Sequence, residues 1–166
     1  MIIIKFDVLE TKVIDNYDNY PLGKRVNYVT LIQLLCKRIE KYHLANFSIA
    51  FSNSEKCYKC LDISYDFLSI VDNIVPFSQY LRVKTGNYEL YLYEVDTKLR
   101  FSFDNNECLT FNAFKGDVII VSEQLLDVVR TTKMVDNVID NFKKLLMQYF
   151  PNACNLLENK FHFFIS

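Results

Sequence analysis

The stretch from residue 87 to residue 121, NYELYLYEVDTKLRFSFDNNECLTFNAFKGDVIIV, decides the fold. Apolar side chains recur at every second position: Leu90 and Leu92, then Leu99, Phe101 and Phe103, then Leu109, Phe111 and Ala113. That period belongs to strands with one buried face. Turn-forming clusters interrupt it, TGN at 85–87, DTK at 96–98, DNNE at 104–107 and FKGD at 114–117. The segment from about Tyr80 to Val121 therefore reads as an antiparallel meander.

The alternation also assigns the other face. Glu89, Tyr91 and Tyr93 turn outward on one strand, and Arg100, Ser102, Asp104, Cys108, Thr110 and Asn112 on the next two. Tyrosines among carboxylates and hydroxyls make a recognition surface, because Tyr offers large contact area and a polar end. Glu89, Tyr91, Tyr93, Asp96, Arg100 and Asp104 are the candidate partner-binding residues. Cross-strand ring packing on a solvated sheet accounts for the same composition.

Helical patterns flank the meander. Tyr28, Leu31, Ile32, Leu35, Ile39 and Tyr42 recur at helical spacing, with Asn27 as N-cap and Lys37, Glu40 and Lys41 facing water. NFSIAFS at 46–52 alternates Phe47, Ile49 and Phe51 as a strand does. Beyond it the pattern gives a short strand or loop to Ile63, an N-cap at Ser64, and a helix stopped before Pro76. Ser122 opens a short helix through Arg130, and Thr132 opens a longer one. Val135, Val138, Ile139, Phe142, Leu145, Leu146 and Tyr149 stripe the longer helix, with Asp140 and Lys144 paired on its other side. Pro151 ends it, and KFHFFIS at 160–166 is a candidate last strand. The fold class expected is α+β: one domain over 1–166, with an antiparallel meander sheet and two main amphipathic helices, near 28–42 and 132–149, on one face.

A chain of 166 residues is long enough to remove roughly two-thirds of its unfolded surface from water without staples. Its 51% apolar and 23% charged composition places it among globular chains. The amino terminus is apolar for only four residues before Lys5, too short for a signal peptide core, and reads as a first strand. No window resembles a membrane span. Five cysteines are an odd number for a disulfide framework, so a reducing cytoplasm is the expected compartment. Residues 61–128 carry eleven carboxylates against five cations. That balance gives no basic stripe for nucleic acid and favours a basic protein partner.

Catalytic machinery is hard to assemble. Cys57 and Cys60 form a C-x-x-C pair, but no second pair exists to complete a zinc tetrahedron. A strand, the pair and a following helical pattern resemble a thioredoxin-like arrangement. Pro76 stands too close behind the pair for that family's cis-proline, and Lys56, Tyr58 and Lys59 surround the thiols. Cys36 falls near an apolar stripe as a buried thiol would. Gly23, Gly86 and Gly116 are too far apart for a phosphate-cradling loop, and no G-x-S-x-G occurs. His43 follows the first helix, where its natural role is at the helix terminus. His162 lies in an aromatic tail. Asp15 and Asp18 lack the glycine and distal Glu of a calcium loop.

The expectation is therefore a non-enzymatic protein-binding module without cofactor or metal. By size and surface chemistry it is a small bacterial inhibitor of the immunity-protein kind, masking the active site of a basic toxin domain. That reading rests on analogy. Two alternatives belong to other classes. One is a thiol-disulfide oxidoreductase with Cys57 as nucleophile and Cys60 as resolving thiol; the other is a small-ligand carrier with an aromatic-lined cavity.

Overall fold

The computed structural model describes residues 2–9, 27–53, 57–60, 62–63, 67–93 and 95–164, with the backbone alone for Cys60. Asp15, Asp18 and the Ser64 cap lie outside the described residues. The fold is α+β, with two antiparallel sheets. The first holds β1 (Ile2–Val8), β2 (Ala45–Ser52) and β3 (Cys57–Cys60) in that order; the second holds β4 (Asn87–Leu92), β5 (Thr97–Phe103), β6 (Leu109–Lys115) and β7 (Val118–Leu126). The helices are α1 (Tyr28–Lys41), α2 (Leu68–Val83), α3 (Val128–Tyr149) and α4 (Pro151–Asn159).

The meander forms as its alternation requires. Leu90, Leu92, Leu99, Phe101, Leu109, Phe111 and Ala113 are all buried, while Tyr91, Tyr93, Asp104 and Cys108 are exposed. Buried side chains from both sheets and all four helices join in one apolar cluster. Aromatic rings knit it. Phe67 meets Phe6, Phe47 and Phe142 at 4.7, 5.0 and 5.1 Å, and Phe51 of β2 meets Phe111 of β6 edge to face at 5.9 Å, joining the two sheets. Edge-to-face rings add about 0.5–1.5 kcal/mol each beyond the area they bury.

The first helix matches its pattern. Asn27 accepts from the Thr30 amide at 2.8 Å, and the far end closes in a Schellman motif. The His43 amide donates to Glu40 and the Leu44 amide to Ile39, at 3.0 and 2.9 Å. His43 sits at the left-handed position of that motif with φ 51°, where glycine is usual.

Several boundaries differ from the sequence reading. Pro76 does not stop α2, which continues to Val83. Apolar positions on both sides of the proline, Val71, Ile74, Val75, Phe77 and Leu81, are buried, and packing outweighs a lost backbone bond. The hydroxyl of Tyr88 donates to the carbonyl of Asn73, three residues before the proline, at 2.9 Å. Tyr80 consequently lies in the helix, and the meander starts only at Asn87.

The segment from Ser122 is not a helix but the end of β7. A left-handed residue, Glu123 with φ 45°, and a register irregularity break its alternation. The long helix is capped by Asp127, which accepts from the Arg130 amide at 2.9 Å, so it starts before Thr132. Pro151 ends α3 but also opens α4, a role its fixed φ suits. The tail after α4 is not a strand: Phe161, Phe163 and Phe164 fold back against the core.

Candidate functional site

Strand pairing lays the outer face of the second sheet out in rows. One row runs Tyr91, Lys98, Phe114, Ile119 across all four strands. The next runs Glu89, Arg100, Asn112, and the third Asn87, Ser102, Thr110, Leu125. Directly opposed residues share a face with Cβ atoms about 5 Å apart, so each row brings its side chains within contact reach.

Those contacts hold the face in shape. Arg100 Nε donates to Glu89 at 2.7 Å, and Lys98 Nζ approaches the same carboxylate at 3.9 Å. Both cations also lie over the Phe114 ring, at 5.4 Å for Lys98 and 5.2 Å for Arg100. Glu89 is thus answered by two cations, and this part of the face is not acidic. Exposed pairs of this kind contribute about 0–1 kcal/mol; their larger effect is to fix side-chain positions.

Among the described residues the β4–β5 turn carries the most exposed ring. Tyr93 is 71% exposed and packs edge to face on Tyr91, with centroids 4.7 Å apart. The Tyr91 hydroxyl donates to the Asp96 carboxylate, and that bond raises the tyrosine's pKa above its usual value. Asp96 takes the left-handed conformation, φ 46°, at the tight end of the turn. The β6–β7 turn at Gly116 and Asp117 lies at the same end, since Thr97 pairs with Lys115. Val118 and Ile119, 65% and 56% exposed, follow it.

Five of the six candidate residues, Glu89, Tyr91, Tyr93, Asp96 and Arg100, fall in this neighbourhood. Asp104 does not: it sits at the other end of β5 and accepts from the amides of Asn106 and Cys108 at 2.9 and 2.8 Å, building the β5–β6 turn. Lys98, Phe114, Val118 and Ile119 were not among the candidates. Alternation marks Lys98 and Phe114 as outward, but only the four-strand register shows that they continue the tyrosine row.

The cysteine pair lies elsewhere. Cys57 and Cys60 are the ends of β3, with Cys57 paired to Ser52 and Cys60 to Ile49. The next described α-helix, α2, begins at Leu68, eight residues after Cys60. Among the described residues no three His, Cys, Asp or Glu side chains cluster as metal ligands. Where a carrier would need an aromatic-walled cavity, the rings pack on one another, Phe77 on Phe101 at 4.5 Å and Phe101 on Phe111 at 5.3 Å. No described helix is long and apolar enough to cross a membrane. No protein-family model, curated protein or solved structure matches the chain.

Proposed function

We propose that this protein is a non-catalytic protein-binding module of the immunity type, which neutralises a toxin domain by docking the outer face of its meander over the toxin's active site. The observation that carries the reading is the Tyr91–Tyr93 pair, set by the Asp96 hydrogen bond at the edge of the outer sheet face. Rings already held in place lose little conformational freedom on binding, and tyrosines are enriched among the residues that dominate interface energies. Phe114 and Ile119 extend the apolar row, while the exposed carboxylates of Asp96 and Asp117 at the two turns suit a basic partner.

The test begins with the product of the gene adjoining this one. Co-expression should relieve that product's toxicity and yield a stoichiometric complex. Tyr93→Ala should then weaken the complex by tenfold or more, about 2 kcal/mol for an interface anchor, and Asp96→Lys should slow association more at low salt than at high. A complex unaffected by Tyr93→Ala, Asp96→Lys and Ile119→Asp together would place the interface elsewhere. An adjoining product that is neither toxic nor bound would remove the immunity reading.

A further inference from the structure

A second surface, away from the tyrosine face, has the features of a peptide groove. Among the described residues the strand β1 is an edge of its sheet, paired only with β2. The helix α3 runs beside its free edge, leaving a groove of about 650 Å³ floored by Ile2 to Asp7. Arg130, Lys133, Met134, Asn137 and Asn141 line the opposite wall, at spacings that share one helix face.

Two side chains of α3 stand where a neighbouring strand's backbone would. The Ile4 amide donates to the Met134 sulfur at 3.0 Å, and Asn141 Nδ2 donates to the Phe6 carbonyl at 2.9 Å. In an antiparallel pair the amide and carbonyl of one residue point the same way, so the Ile4 carbonyl and the Phe6 amide face the groove as well. Neither has a partner among the described residues. At the Ile2 end an adjoining cavity holds Gln124, whose Oε1 is buried and without a hydrogen-bond partner among the described residues. The rim is cationic. Lys5, Arg130 and Lys133 stand against the single carboxylate of Asp7, and none of the three makes an ion pair with a described residue.

We infer that this groove binds an acidic peptide segment of another protein in extended conformation, as an added strand on β1. The peptide's amides and carbonyls replace the Met134 sulfur and the Asn141 amide, whose side chains swing outward, and its carboxylates meet Lys5, Arg130 and Lys133. Backbone pairing supplies affinity in such complexes, and alternate side chains supply selectivity. The six floor residues span about 20 Å at strand rise, enough for a peptide of about six residues.

The probe is a fluorescein-labelled hexapeptide of alternating Glu and Val, followed by anisotropy with the intact protein. Saturable binding is expected, at least tenfold weaker for the Lys–Val peptide and for Arg130→Glu or Lys133→Glu. N-methylation of alternate peptide amides should abolish binding in one phase of the alternation and not in the other, and exchange of the Phe6 amide should slow in the complex. Tyr93→Ala should leave this binding unchanged, so the groove and the tyrosine face stand or fall separately. Absence of saturable binding, or binding indifferent to both phases of N-methylation, overturns the inference. So does a concentration-dependent dimer that protects Phe6 without peptide, which would make a second copy the occupant.

Discussion

The rings of Tyr91 and Tyr93 meet edge to face, 4.7 Å between centroids, and the outer ring is 71% exposed. Two tyrosines held in this way contribute little to folding. Tyr93→Ala is expected to change unfolding free energy by less than about 0.5 kcal/mol, measurable by urea titration, while removing the anchor on which partner binding depends. A large stability loss would mean that the pair is structural.

Asp104 should behave in the opposite way. Its carboxylate accepts two turn amides, so Asp104→Ala should cost about 1–2 kcal/mol of stability and leave partner affinity unchanged. Urea titration and calorimetric binding separate the two effects.

Alkaline pH should destabilise the protein, with Tyr80 and Tyr88 among the groups responsible. Burial pushes the hydroxyls of Tyr80 and Tyr88 up to about 12, against about 10 in the unfolded chain. Between those values the unfolded state has lost protons that the native state keeps, so stability falls as pH rises. Each tyrosine's contribution is complete below about pH 10 and lost by about pH 12. Each half-exposed ring should contribute about 1 kcal/mol after solvent screening. Tyr88→Phe should flatten the slope of unfolding free energy against pH in that window, and an unchanged slope would count against it.

His43 occupies a backbone position suited to glycine, with φ 51° in the Schellman motif after α1. His43→Gly is expected to stabilise by about 1 kcal/mol, as relief of left-handed strain outweighs the added freedom of the unfolded chain. Thermal unfolding checks the sign. A loss of stability would show that the imidazole does more than cap.

The thiols should divide by exposure. Cys57 and Cys108 are exposed and should be labelled quickly by an aromatic disulfide reagent. Cys36 and Cys154 are buried, and burial raises both pKa values, so both should react only on unfolding. Peptide mapping by mass spectrometry assigns the sites, and fast labelling of Cys36 would contradict the packing of α1.

The parts of the fold legible in the sequence are those where one period runs uninterrupted. Leu99, Phe101, Leu109 and Phe111 alternate without a break, and every one is buried. The failures occur where a local signal was outweighed or shared. Pro76 marks a helix end only if the residues after it have nothing to pack against, and Phe77 and Leu81 do. The irregularity at Glu123 hid the last third of β7, and a proline that stops one helix can start the next. The site follows the same division. Tyr91 and Tyr93 are visible as outward residues of one strand, but the continuation through Phe114 to Ile119 depends on register across three hairpins, one of them irregular. No window of sequence contains that information.

The bond from Ile4 to Met134 spans 130 positions in the chain, and that from Asn141 to Phe6 spans 135. During synthesis β1 therefore waits for α3. Until α3 emerges, β1 and β2 can form a hairpin whose free edge has no cover, a state prone to pairing with other chains. Closure of this edge is thus gated by α3, and chaperone demand should be highest for nascent chains that stop short of it.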